Sequence, residues 1–323
     1  MDAWLLQSVV PLPRPTAGKR RSRQTLGWLA WLCLLLPGCQ ADEQAEYRPR
    51  YADQAVEQNS VYLFGVHPLH NPERLFAIYQ PLVNYINRQL QGVQLKLEAS
   101  RNYASYEEKL YSGHYHLALP NPFQTINALE KGYRVFGKMG DDHNFRGILL
   151  VRRDSGIREV ADLKGKAVSY PAPTALAATM LPQWFLHSQG LNVTTDIENR
   201  YVGSQESSIM NVFLGHTAAG ATWPPPWKAF SRERPELAEQ LEVKWQTDSL
   251  PNNGLVARKE LPPDLVRQVA HIFFALHTHP EGEAILAPMA LSRFEEADNE
   301  TYAPVKAFIA LFEQQVRPVR EKP

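Results

Sequence analysis

Val61-Tyr62-Leu63-Phe64-Gly65-Val66 is an unbroken apolar run that stops at His67-Pro68, as a buried strand does. From Arg74 to Leu90 the apolar residues Leu75, Ile78, Tyr79, Leu82, Val83, Ile86 and Leu90 then recur at helical spacing, which places them on one face of a helix. The pattern continues outward from this pair. Val93-Gln94-Leu95-Lys96-Leu97 alternates like a strand, Tyr106 to Tyr111 continues as helix, and His116-Leu117-Ala118-Leu119 is a short strand ending at Pro120. The second half repeats the theme: strands at Gly147–Val151, Ala167–Tyr170, Arg200–Val202 and Ala218–Thr222 alternate with helices. One helix opens at Pro173-Thr174 and runs to about Ser188, with Gly190 past its end, and another follows the N-cap Ser204. From Pro263 the chain is mostly helical, with breaks near His279-Pro280 and Pro288. Strands that alternate with helices predict an α/β protein with parallel sheets.

Ahead of this region, Lys19-Arg20-Arg21-Ser22-Arg23 precedes an apolar run, Leu26 to Leu36, that closes on Pro37-Gly38-Cys39. A basic patch, a run too short to span a bilayer comfortably, and a small residue before cysteine predict an export signal over 1–38 ending in a lipoprotein box. Cys39 is then the lipidation site and first mature residue, and the polar stretch 39–59 a lipidated tether. The alternative is an N-terminal anchor helix with an incidental cysteine. Removing residues 1–38 takes five basic residues and one acidic residue from the 34 of each, leaving 29 against 33 in the 285 that remain. That net charge of about −4, with no basic stripe, excludes nucleic acid as a partner. The only other cysteine, Cys33, leaves with the signal, so the exported domain holds no disulfide, no thiolate metal site and no cysteine nucleophile.

Several stretches together resemble the phosphate, phosphite and phosphonate-binding proteins of ABC importers. They are Gly65-Val66 with Asn71-Pro72 and Tyr79-Gln80-Pro81-Leu82, then Tyr103, Gly113 to Ala118 and Asn121-Pro122-Phe123. Val151-Arg152-Arg153-Asp154-Ser155-Gly156-Ile157 and Ala161-Asp162-Leu163-Lys164-Gly165-Lys166 follow, and later Pro251-Asn252, Arg258-Lys259-Glu260-Leu261-Pro262 and Asp264. The resemblance covers roughly Tyr62 to Phe312. It implies a type II periplasmic binding protein: two α/β lobes joined by two crossovers, with a ligand cleft between them. Residues 60–147 and 252–323 would form lobe 1, and 148–251 lobe 2. It also implies a periplasmic, monomeric protein that takes a small-molecule ligand, has no cofactor, catalyses nothing and works with an ABC permease.

In that family the anion sits on a hydroxyl-rich turn opening a lobe 2 helix, where free N–H groups and the positive helix end meet it. Here the turn reads Pro173-Thr174-Ala175-Leu176-Ala177, so Thr174 remains and its hydroxyl neighbours do not. Tyr103 carries over as the aromatic pocket residue. A histidine usual before the first crossover is replaced by Arg146, another near the Gly203-Ser204 turn by Gln205, and an acid after the Ala218 strand by Trp223, while Glu206 keeps an acidic position. Tyr103, Arg146, Thr174, Gln205, Glu206 and Trp223 are therefore the candidate ligand-binding residues, with Trp227 beside them. Arg146 fits a two-pronged pair with a carboxylate, phosphonate or sulfonate, or else a salt bridge to Asp141 or Asp142. Glu206 fits a ligand ammonium, or else is a helix-start acid favoured by the dipole. Trp223 and Trp227 flank the stiff Pro224-Pro225-Pro226 run, as a wall for an apolar or cationic group or as hinge packing.

His114-Tyr115-His116 and His277-Thr278-His279, with His67 and His70, are tempting as metal ligands, but no carboxylate partner follows from their spacing, and surface or core roles are preferred. Gly203-Ser204-Gln205-Glu206 lacks the frame of a nucleophile elbow. The expectation is a lipid-anchored, extracytoplasmic solute-binding protein for a small oxyanion. Its rivals are a sensory binding protein that signals to a membrane kinase or cyclase, a binder of an amine or carboxylate, an enzyme of related two-lobed fold, and an envelope scaffold with an unused cleft.

Overall fold

The computed structural model describes residues 60–319. The signal segment 1–38, Cys39 and the tether 39–59 lie outside the described residues. No helix among the described residues is long and apolar enough to cross a membrane.

The chain begins with strand β1 (Ser60–Val66), helix α1 (Pro72–Asn87), β2 (Val93–Glu98), α2 (Tyr103–Tyr111), β3 (Leu117–Leu119), α3 (Pro122–Leu129) and β4 (Tyr133–Met139). It then crosses to a second sheet: β5 (Arg146–Arg152), β6 (Ala167–Tyr170), α4 (Leu181–Ser188), β7 (Glu198–Tyr201), α5 (Gln205–Phe213), β8 (Ala219–Thr222), α6 (Pro224–Glu233), α7 (Pro235–Ala238) and β9 (Leu241–Ser249). It returns through β10 (Gly254–Arg258), α8 (Pro263–Ala275), α9 (Pro280–Leu286), β11 (Phe294–Glu295) and α10 (Ala303–Gln315). The first sheet runs in the order β11-β4-β10-β3-β1-β2 and the second β7-β6-β8-β5-β9. The two crossings, 140–145 and 250–253, connect the lobes.

The sheets are mixed rather than parallel throughout. β1, β2 and β3 are parallel, as are β6, β7 and β8, and these are the strands joined by helices. β10 runs antiparallel between β3 and β4, and β5 antiparallel between β8 and β9. Both enter a sheet from the other lobe, and no crossover helix constrains their direction.

Local chemistry starts the helices. The Asn71 side chain accepts from Arg74 N at the head of α1, with Pro72 at the first helical position, and Leu75, Ile78, Tyr79, Leu82, Val83 and Ile86 turn inward. Asn121 and Gln124 cap α3 reciprocally. Gly65 lets β1 pass under the Tyr115 ring, where a Cβ would stand 2.6 Å from ring atoms. In lobe 2 alternate residues of β5 feed two cores: Leu149 and Val151 pack with Tyr170 and Leu186, and Ile148 and Leu150 with Ile209, Val212 and Phe230.

Two local expectations change. The helix expected from Pro173-Thr174 begins later, as a π-turn over Leu176–Met180 that runs into α4. Pro182, at the second position of α4, has no N–H to continue a regular ladder, and Ala175 O takes both Thr179 N and Met180 N. Pro224-Pro225-Pro226 is the first turn of α6, where fixed φ suits a helix and missing N–H groups cost nothing.

Candidate functional site

The faces of the two lobes meet along a cleft floored by the crossings. Lobe 1 contributes His67, Tyr103 and Asn121; lobe 2 contributes Ala175–Ala178, Gln205 and Trp223; Phe145 and Asn253 come from the crossings. Tyr103 is the first residue of α2 and Gln205 the first of α5, each following a side-chain cap, Asn102 and Ser204. Two helix starts from opposite lobes therefore face each other. Burial pushes the Tyr103 phenol far above its usual range, with a hydrogen bond from Gln205 pulling partly back, so the hydroxyl is a neutral donor. Gln205 Oε1 also accepts from Thr222 Oγ1 at 2.9 Å. Trp223, which is 4% exposed, meets Phe145 edge-on with ring centres 5.6 Å apart.

Thr174 stands just outside this lining and is already engaged. Its hydroxyl donates to Glu107 Oε1 at 2.5 Å, Gln124 Nε2 reaches the same oxygen at 3.0 Å, and Asn121 Nδ2 donates to Thr174 O at 3.0 Å. A lobe 1 carboxylate thus holds the residue expected to meet an anion. The open space bounded by Tyr103, Gln205 and Trp223 is about 10 Å³, room for about one water.

Arg146 is elsewhere. β5 alternates, so Phe145 and Gly147 face the cleft and the π-turn while Arg146 and Ile148 face α6. Arg146 lies with Trp227 in a separate groove, and neither expected salt bridge forms: Asp142 pairs with Lys138, and Asp141 accepts from Ser292. Glu206 also lies outside the cleft. It pairs with Arg234 at 2.9 Å in a shallow groove shared with His70 and Arg74. The structure therefore brings together Tyr103, Gln205 and Trp223, sets Thr174 beside them, and separates Arg146 and Glu206. Sequence reasoning missed His67, Asn121, Phe145 and Asn253. The run Asn121-Pro122, a cap followed by proline, was the one local signal for a helix start there.

His67 Nδ1 lies 2.8 Å from Leu119 O, and a carbonyl only accepts, so the ring donates through Nδ1 and keeps Nε2 as an acceptor. Burial lowers the His67 pKa to about 4, against a smaller raising effect of that hydrogen bond. His70 is also lowered to about 4, by burial first and then by Arg74 and His67. Three other histidines have ordinary partners: His114 pairs with Glu98, His116 Nδ1 accepts from Leu63 N, and His279 contacts Tyr85 and caps α9. Among the described residues no three His, Cys, Asp or Glu side chains are grouped to hold a metal.

Further bonds tie the lobes. Arg74 donates Nη1 and Nη2 to the two carboxylate oxygens of Glu233, each at 2.7 Å. Beyond α10, Arg317 donates to Gln183 Oε1 at 2.8 Å and to Pro173 O at 2.9 Å. The Arg74–Glu233 pair is partly exposed, at 27% and 43% of side-chain surface, so it should contribute no more than about 1 kcal/mol to closure. Arg74→Ala should widen the ligand-free protein measurably in small-angle scattering with little change in melting temperature. A double-mutant cycle with Glu233→Gln that shows no coupling would remove the pair from the closure mechanism.

Two mixed sheets exchanging strands across two crossings, with opposed helix starts lining the gap, define a type II periplasmic binding protein. The description "ABC transporter, phosphonate, periplasmic substrate-binding protein" matches residues 64–302, and the chain belongs to that family. The phosphonates-binding periplasmic protein of Escherichia coli K12 is 19% identical over 268 residues, spanning 80% of this chain and 79% of that one. Among solved structures, a binding protein component of an ABC phosphonate transporter from Pseudomonas aeruginosa superposes with a TM-score of 0.72 at 18% identity, over 80% of this chain and 88% of that one. A protein from Prochlorococcus marinus in complex with methylphosphonate gives 0.72 at 17% identity, over 79% and 99%. At these identities the structural likeness speaks for the fold alone. The family consists of periplasmic substrate-binding proteins that work with an ABC permease, not of enzymes.

Proposed function

We propose that this protein, held at the cell envelope by lipid on Cys39, captures a small oxyanion of the phosphonate, phosphite or phosphate kind and delivers it as a monomer to an ABC importer. The observation that carries the reading is the convergence of Tyr103, Gln205 and Trp223 from opposite lobes on one cleft, next to Thr174 and the turn that opens the lobe 2 helix. A solute bridging those groups would stabilise closure, so capture and hinge motion form one equilibrium. A second reading has a specific observation behind it. Among the described residues no lysine or arginine joins Tyr103, Gln205 and Trp223 in this lining, and the Glu107 carboxylate stands beside it on Thr174. That arrangement favours a ligand bearing an ammonium group, whether for transport or for signalling to a membrane sensor.

One variant separates the readings. Thermal unfolding of the lipid-free protein is measured with phosphate, phosphite, methylphosphonate, aminoethylphosphonate, sulfonates, carboxylates and quaternary amines. A ligand at a hundred times its Kd adds about 2.7 kcal/mol. If the solute is an oxyanion, Glu107→Gln should tighten methylphosphonate binding about tenfold, because a like charge leaves the seat. Weaker binding of an amine in that variant would establish the ammonium reading, and no shift with any solute would reject both.

A further inference from the structure

An open groove far roomier than the space between Tyr103 and Trp223 lies elsewhere in the molecule. It runs between the first turn of α6 and the edge strand β9 of lobe 2, with Asn144 of the first crossing and Ala290 of lobe 1 at its border, and its volume of about 520 Å³ is within the range of small-molecule sites. One indole and three cations line it: Trp227, Arg146, Lys228 and Lys244. No aspartate or glutamate lines it. We propose that this groove is a second ligand site, independent of the cleft, for an organic anion with a flat apolar body.

Four features support the assignment. Arg146 Nε is buried without a hydrogen-bond partner, and a buried unpaired guanidinium donor is costly unless something accepts from it. An anion oxygen at Arg146 would satisfy that donor. One wall is already set, since Trp227 stacks on Phe230 at 17°, while Trp245, paired with Leu149, turns its ring to the other face of the sheet against Phe185. Strand register re-aims the third cation: Leu149 pairs with Trp245 and Leu150 with Val243, so Lys244 is the extra residue of a bulge. Finally, the first positions of α6 are prolines, so no backbone N–H competes there and side chains must recognise the charge. Lys228 has no ion pair among the described residues, whereas Lys244 lies 3.7 Å from Glu242. Lys244 also guards a sheet edge, so the test rests on Arg146 and Lys228.

The test is calorimetric titration of the full chain with benzenesulfonate, beside methanesulfonate. One saturable site is expected for benzenesulfonate, weaker binding for methanesulfonate, and loss of affinity with added salt. Arg146→Gln should weaken benzenesulfonate about tenfold, Lys228→Gln by less, and Tyr103→Phe not at all. Lys228 is exposed, so its variant remains folded and informative if Arg146→Gln is not. Absence of saturable heat overturns the proposal. So does binding that is lost in Tyr103→Phe and kept in both groove variants, which would place the probe in the cleft.

Discussion

Trp223→Ala should lower the melting temperature by roughly 10 °C and abolish solute capture below that temperature. The side chain is buried, meets Phe145 edge-on at the first crossing and lines the cleft opposite Tyr103, so cleft wall and hinge packing are one role here. Truncating a buried tryptophan costs about 3–5 kcal/mol, from lost transfer energy and the cavity left behind. Trp223→Phe should recover most of the stability, because an aromatic ring can still meet Phe145, while capture stays weakened. A melting temperature for Trp223→Ala within a degree or two of the parent would show that the ring carries no packing load.

Acid should destabilise the protein well above the pH at which its carboxylates titrate. His67 and His70 are held near 4 in the folded protein against an ordinary 6.5. Between those values the unfolded chain takes up protons that the native rings refuse, so stability rises with pH across the window. It is complete above about 6.5 and lost as pH falls towards 4. For His67 the full loss is about 3 kcal/mol, with about 2 kcal/mol already gone at pH 5, and His70 adds in the same direction. Urea unfolding at pH 7 and pH 5 measures the slope. His67→Asn keeps a donor for Leu119 O but cannot titrate, so it should flatten the profile. An unchanged slope in that variant would acquit the ring. For the proposed binding function, the same neutral His67 gives the cleft an uncharged acceptor over the working pH range.

The framework around the candidate site was partly legible because helix ends carry local signals. Ser204 and Gly190 are local signals, and α5 and the end of α4 fall where they point, whereas α1 begins at Pro72, behind the cap Asn71, rather than at Arg74. Tyr103 and Gln205 became candidates only through the family resemblance; the structure sets each at the first position after a capping side chain, Asn102 and Ser204. Glu107 was not legible. It lies in mid-helix in α2, and its role exists only because Thr174, remote in sequence, meets it across the lobes. Asn253 and Phe145 sit on crossings with no period to read.

Sequence alone determined many of the units and that strands and helices alternate, because those choices depend on neighbours within a turn or two, but it misplaced the start of the helix after Pro173 and did not show the proline run opening α6. Tertiary structure decided which side of a strand each candidate occupies and which lobe supplies its partner. Arg146 shows the difference. One residue separates it from Phe145, and strand alternation sends the phenyl ring into the cleft and the guanidinium into a groove under α6. The crossings decided the mixed sheets in the same way, since β5 and β10 take their direction from the lobe they leave. Charge pairing across the lobes was equally out of reach of local sequence, since only their meeting sets Glu107 on Thr174 and Arg74 on Glu233.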